Sequence, residues 1–132
     1  MTLKEIYDLP YDTGEFQSSL TIWYNRLLEK TYDDLDPLDV YRMLNQDILK
    51  EVATLKAVDM IIENPYAGYF YDGEFVVKLS TMAITVSSSS MRRLLKTLQG
   101  IQYSYDRYDW SDEESKMRYS LALNKLLVNN GY

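Results

Sequence analysis

A chain of 132 residues without cysteine or histidine is long enough to bury most of its unfolded surface as one domain, with no disulfide or structural metal. The two absences exclude thiol nucleophiles, histidine-dependent triads and the commonest zinc ligand sets, and the lack of disulfides favours a reducing compartment. The formal charge of −6 is uneven, because residues 1–40 hold nine acids against three bases while the remainder balances. That distribution repels nucleic acid and attracts basic protein surfaces, although acids also serve solubility. The opening MTLKEIYDLPYD lacks the basic-then-apolar pattern of a signal peptide, and the most apolar stretch, EFVVKLSTMAITV, is too short to cross a bilayer. A cytoplasmic protein without membrane contact is expected.

Helical periodicity dominates the pass along the chain. In EFQSSLTIWYNRLLEKTY the residues Phe16, Leu20, Trp23 and Leu27, with Tyr24 and Leu28, recur at three- and four-residue steps and predict a first helix over 14–31. Asp36 before Pro37 predicts the cap of a second helix that turns Val40, Met43, Leu44 and Ile48 inward. A third helix is predicted over 51–63, with Val52, Leu55, Val58, Ile61 and Ile62 inward and Lys56, Asp59 and Glu63 in water, ending where Pro65 disfavours helical geometry at Asn64.

Beyond that point Phe75, Val76, Leu79, Met82, Ala83 and Val86 have helical spacing, but the β-branched residues of 74–86 leave a strand open. Ser87 to Ser90 read as a linker and cap, and MRRLLKTLQG as a helix closed by Gly100. Ser111 with Glu114 has the spacing of a capping box for a last helix with Met117, Leu121, Leu123, Leu126 and Leu127 inward and Gly131 at its end. The expected fold is all-α, a compact bundle of about six helices forming a single domain over 1–132.

Catalytic signals are sparse. No nucleophile-elbow, dinucleotide-binding or phosphate-loop glycine pattern occurs. In DDLDPLD the residues Asp33, Asp34, Asp36 and Asp39 have the oxygen chemistry for a hard cation but not the spacing of an EF-hand. Capping accounts for them more simply, with Asp36 as N-cap, Asp39 in the first turn, and Asp33 and Asp34 solvated. No metal, cofactor or enzymatic activity is expected. Arg92, Arg93 and Lys96 make one small positive turn without an aromatic platform, so direct nucleic-acid binding is not expected either.

The stretch from Leu27 to Phe75, LLEKTYDDLDPLDVYRMLNQDILKEVATLKAVDMIIENPYAGYFYDGEF, resembles the helical immunity proteins of contact-dependent growth inhibition systems. Leu35, Asp39, Arg42, Gln46, Leu55, Ala57, Ile61, Asn64, Pro65, Tyr69, Gly73 and Phe75 carry the resemblance in order and spacing. Glu74 departs from it, standing where the family favours Asp. A framework of about 27–86 and a C-terminal extension of about 87–132 follow. The resemblance implies a cytoplasmic protein that binds the C-terminal domain of a cognate toxin and blocks it. Such toxins are often nucleases with basic surfaces, which an acidic partner suits. The alternative, from another class, is an adaptor or regulatory module that binds a different basic protein.

Asn64, Pro65, Gly68 and Gly73 are expected to shape the connection between the third and fourth helices, the glycines by allowing positive φ. Arg42 and Gln46, one turn apart, either meet a partner or anchor that connection by hydrogen bonds. If the connection is extended, Tyr69 and Tyr71 share one side and Phe70 turns to the core. Specificity among toxins belongs outside a shared framework, which draws attention to YSYDRYDWSDEE. Tyrosines there offer large contact area at small entropic cost. Partner contacts are therefore expected from Tyr105, Asp106, Tyr108 and Asp109, joined by Tyr69, Tyr71 and Asp72 and by the acids Asp33 and Asp34. Trp110 is expected to pack ahead of the last helix.

Overall fold

The computed structural model describes residues 1–14 and 18–132; Phe16, the first member of the expected stripe, lies outside them. Side-chain caps set most helix starts. Thr2 and Glu5 form a capping box for α1 (Leu3–Tyr7), a five-residue helix too short to leave a periodic signal. Ser18 accepts the Thr21 N–H at 3.1 Å and opens α2 (Ser19–Leu28), which is shorter than the expected 14–31. Asp36 and Asp39 form the box for α3 (Pro37–Gln46). The next element, α4 (Lys50–Glu63), ends just before Asn64 as Pro65 requires.

Helix α5 (Glu74–Leu79) is helical, as one of the two alternatives held, but stops well before residue 86. From 82 to 86 half-buried and exposed residues alternate, with Met82, Ile84 and Val86 packed against the core. The β-branched signal there marks irregular chain lying on the core rather than a strand. Among the described residues no strand forms, and one isolated bridge joins Thr2 to Thr31. Ser87 caps α6 (Ser88–Ile101), and Asp112, one residue later than the expected Ser111, caps α7 (Glu113–Asn129) by accepting the Ser115 N–H at 2.6 Å. Two 3-10 turns, Tyr32–Asp34 and Tyr105–Arg107, complete an all-α architecture.

Helix α4 lies at the centre, packed on α3, α5 and α6, while α7 closes over α5 and α6. Its fully buried Ala53 and Ala57 allow close approach, and Val58 and Ile61 continue the same buried face. A continuous apolar cluster runs from Leu3 through Leu27, Met43, Ile61 and Leu79 to Leu127.

Leu20, on the expected stripe of the first helix, is exposed, and on α7 two expected inward positions are not inward. Met117 and Leu121 are exposed because α7 is rotated to bury Tyr119, Ala122, Leu123, Leu126 and Leu127 instead. Gly100 does not close α6; the helix passes through it, and a Cβ there would meet nothing within 4 Å. Gly100→Ala is therefore expected to raise the unfolding free energy by about 0.5–1 kcal/mol, the helix-propensity difference, as read by urea denaturation.

The α2–α3 corner is fastened by a buried carboxylate. Asp39 accepts from Trp23 Nε1 at 3.0 Å, from Lys30 Nζ at 2.5 Å and from the Asp36 N–H at 3.1 Å. Burial by itself would raise this carboxyl, but the Lys30, Trp23 and Asp36 donors outweigh it and hold the group below the usual carboxylate range. The acids of DDLDPLD thus serve local structure: Asp36 caps α3, and Asp34 accepts from the Thr31 hydroxyl at 2.9 Å.

Candidate partner-binding surface

The chain leaves α4 through Asn64, whose side chain accepts the Tyr66 N–H at 3.1 Å, and then folds back on itself rather than extending. Gly73 N–H reaches the Tyr66 carbonyl at 2.7 Å, and Phe75 N–H reaches that of Ala67 at 3.2 Å. Glu74 secures the tip, its buried carboxylate accepting the N–H groups of Tyr69 at 2.7 Å and Phe70 at 3.1 Å. The departure from Asp at this position has a structural role: a carboxylate at the first residue of α5 caps the loop that precedes it.

This folded geometry overturns the expected orientations. Phe70 points outward and is 65% exposed. Its ring meets Tyr41 edge-on at 4.7 Å and Tyr69 at 4.8 Å. Tyr71 is half-buried with the Arg118 guanidinium 5.6 Å from its ring centroid. The glycines act in different ways. Gly73 has φ +80°, as expected, whereas Gly68 is required by close approach, since a Cβ there would lie 2.2 Å from the Tyr71 carbonyl oxygen. Neither Arg42 nor Gln46 anchors the connection among the described hydrogen bonds; Arg42 lies 5.6 Å from the Trp23 ring centroid, at the α2–α3 corner.

The C-terminal segment packs onto this loop. Tyr119 is fully buried and donates its hydroxyl to the Pro65 carbonyl at 2.9 Å, and burial pushes its pKa up. Tyr66 stacks on Tyr108 at 3.9 Å, and Trp110 sits 4.9 Å from both Tyr108 and Tyr119. Trp110 Nε1 donates to the Tyr105 carbonyl at 2.8 Å, so Trp110 does pack ahead of α7. Tyr105 is half-buried, with its hydroxyl 2.6 Å from Ser120 Oγ.

Acids fringe this cluster. Tyr108 is raised first by burial and then by the nearby Asp72 carboxylate, with Asp109 adding to the effect. Tyr66 is raised by burial and by the charge of Asp106. The charges of Asp72, Asp106 and Asp109 thus act on the stacked pair Tyr66–Tyr108, while the rings of Tyr41, Tyr69 and Phe70 contact one another in an aromatic ridge. Beside the ridge, Tyr41, Asn45, Tyr71 and Lys78 line a cleft of about 170 Å³ between α3 and α5. Asp33 and Asp34 lie elsewhere, on the turn whose Tyr32 hydroxyl bonds Asp59 in the middle of α4. Tyr41 was not legible as part of this surface, because an aromatic residue off the buried stripe of a helix carries no periodic signal; Phe70 was expected in the core, and the role of Glu74 depends on how the loop folds back on its carboxylate.

A model of the CDI immunity proteins matches residues 5–97. The chain belongs to this family. As a CDI immunity protein it has an immunity role, with a cognate toxin as the implied partner. The matched segment reaches beyond 27–86 at both ends, from α1 into α6. It contains the 64–73 loop but stops short of the Tyr105–Arg107 turn and α7, so the aromatic surface joins family-matched residues to residues outside the match. No curated protein matches the chain. Among the described residues no helix is long and apolar enough to cross a membrane.

Proposed function

We propose that this immunity protein neutralises its toxin in the cytoplasm by stoichiometric, non-catalytic binding of the toxin's C-terminal domain, through the acidic aromatic surface formed by the 64–73 loop and the 105–110 segment. The carrying observation is the stack of Tyr66 on Tyr108, which joins the 64–73 loop to the 105–110 segment and feels the charges of Asp72, Asp106 and Asp109, together with the exposed Phe70 and Tyr69 on the same loop. Exposed aromatic side chains supply contact area, and the carboxylates complement lysine and arginine on the partner. The partner is a basic domain, a nuclease in this reading, whose cationic surface is covered against its nucleic-acid substrate. Tyr71 and Tyr105 support the surface from within, and Asp33 and Asp34 add long-range attraction during encounter. The whole chain, 1–132, acts as one domain, in keeping with the continuous core from Leu3 to Leu127.

The test is calorimetry and stopped-flow association with the toxin domain encoded beside this gene, at low and high salt. Tight one-to-one binding that weakens with salt is expected. Phe70→Ala with Tyr69→Ala should weaken affinity by roughly 30-fold or more, mainly by faster dissociation. Asp106→Asn with Asp109→Asn should slow association and flatten the salt dependence. Unchanged affinity and salt response in both variants would place the contact elsewhere on the molecule, and no binding at either salt would favour the adaptor reading.

A further inference from the structure

The cleft between α3 and α5 contains a buried charge that the fold leaves half matched. Glu74 is 7% exposed, yet it lines the cleft. Its Oε1 accepts both the Tyr69 and the Phe70 N–H, and among the described residues no donor reaches Oε2. Every fully buried side-chain oxygen or nitrogen there has a partner, so Oε2 keeps contact with solvent, and the cleft that Glu74 lines supplies it. One turn along α5 stands Lys78, half-buried and on the same cleft wall, at a spacing suited to an ion pair. The two form none, and Lys78 has no ion-pair partner among the described residues. An acceptor-only carboxylate and a donor-only ammonium thus stand unpaired in one cleft.

The remaining walls and the size narrow what can enter. Leu44 and Tyr41 from α3 and Phe75 and Val77 from α5 give an apolar lining. At about 170 Å³ the cleft is smaller than the roughly 300–1,000 Å³ of small-molecule sites, so it has room for one side chain. Tyr41 belongs to the aromatic ridge as well, its ring 4.7 Å from Phe70 and 6.1 Å from Tyr69, so a partner covering the ridge also covers the cleft.

Hydrogen-bond chemistry selects the side chain. Lysine and arginine only donate and would bring a cation beside Lys78, whereas aspartate and glutamate only accept and would face Glu74. Phenylalanine strands both polar groups, and the indole of tryptophan, a donor only, strands Lys78. A carboxamide serves the polar pair but leaves the apolar walls uncovered. A phenol meets every condition: its O–H donates to Glu74 Oε2, its oxygen accepts from Lys78 Nζ, and its ring lies against Tyr41, Leu44 and Phe75.

We propose that this cleft receives a tyrosine side chain of the toxin domain, held through its hydroxyl by Glu74 and Lys78. The proposal rests on the toxin-binding reading and adds to it an uncharged anchor beside the acidic fringe. It also gives a basic residue of an acidic protein a favourable part in holding a basic partner.

NMR titration of the whole chain with p-cresol, the tyrosine side chain as a free molecule, reads the cleft without the toxin. Taken to about 10 mM, p-cresol should shift the amides of Leu44, Asn45, Val77 and Lys78. Toluene should bind at least about fivefold more weakly, because it leaves both polar groups unpaired, and n-butylammonium should leave those amides unmoved. Lys78→Met, which keeps the stem and removes the donor, should weaken p-cresol about fivefold as well. Absence of p-cresol shifts at the cleft overturns the proposal, as does equal binding of toluene or any binding of n-butylammonium there.

Calorimetry with the toxin domain then reads the occupant. If charge alone acted, removing a cation from an acidic surface would tighten a basic partner. Lys78→Met should instead weaken the toxin about tenfold, the loss of one charge-assisted hydrogen bond. Circular-dichroism melts of variant and wild type should coincide, since the Lys78 ammonium makes no ion pair among the described residues. One Tyr→Phe substitution in the toxin should weaken binding to wild type by a similar factor and binding to Lys78→Met by no more. Toxin affinity that is unchanged or tightened in Lys78→Met overturns the proposal and leaves the toxin reading in place. A wild type that does not bind the toxin removes both, even where p-cresol enters the cleft.

Discussion

Gly73→Ala is expected to lower the unfolding free energy by about 2–5 kcal/mol, enough to unfold a large fraction of a marginal domain. Two costs combine. Gly73 has φ +80°, a region where an L side chain loses about 1–2 kcal/mol. In addition its new Cβ would lie 2.4 Å from Cδ2 of Tyr119, a ring that is fully buried, packed among Tyr66, Tyr105 and Trp110, and tied through its hydroxyl to Pro65. Overpacking against a side chain so held adds roughly 1–3 kcal/mol. Gly131 supplies the control, since it has φ +82° with open space around the added Cβ. Gly131→Ala should therefore show only the backbone cost of about 1–2 kcal/mol. Urea unfolding of both variants separates the two contributions, and equal losses would refute the steric one. Because Gly73 closes the 64–73 loop onto Tyr66, the same substitution should also weaken toxin binding.

Asp39→Ala is expected to cost about 3 kcal/mol at neutral pH. Removal of the carboxylate strands the indole N–H of a buried Trp23 and takes the counter-charge from Lys30, which keeps 32% of its side chain in water. Loss of one partner of a fully buried pair costs roughly 3–5 kcal/mol, and the partial hydration of Lys30 places this site at the lower end. The pH dependence has a definite sign. Asp39 is depressed in the folded state, so its contribution is complete above the unfolded value of about 3.9 and disappears as pH falls through the lower folded value. Lys30 is raised: burial opposes the charge, but Asp39 and Asp36 outweigh it. Its contribution is complete below the ordinary value of 10.5 and disappears as pH rises through the folded one. The difference between wild type and Asp39→Ala, followed by urea denaturation, should be constant from about pH 5 to 9 and shrink at both extremes. A difference that does not change with pH would mean that packing, not charge, carries the effect.

Much of the architecture was legible in local chemistry. The Asp36–Pro37 start of α3, the Asn64–Pro65 end of α4 and the buried stripes of α3 and α4 follow from rules that act within a few residues. Errors arose where two local solutions were nearly equivalent. Ser111 and Asp112 both make good N-caps, and the one used depends on where Trp110 packs. On α7 the stripe through Met117 and Leu121 and the one through Tyr119, Leu123 and Leu126 are both apolar, so periodicity could not select the face. The larger ring, with a carbonyl at Pro65 within reach, is the one that is buried.

The candidate surface was partly visible in composition, as tyrosines and acids crowded into two short stretches, but not in its assembly. Residues 66 and 108 are far apart in the chain, and nothing local says that their rings stack or that the Asp72 charge acts on Tyr108. Nor does local spacing say that Phe70 faces water. That follows from Glu74 folding the loop around its own carboxylate.

By itself the sequence determined the all-α class, the start of α3 and the end of α4, the acidic first third and the family likeness. Each of these depends on residue type and short-range spacing. Tertiary structure alone decided which face of α7 is buried, which way the 64–73 loop turns, and which tyrosines share a surface. Those outcomes depend on which distant groups compete for the same buried volume and the same hydrogen bonds, and that competition is resolved only when the chain is packed.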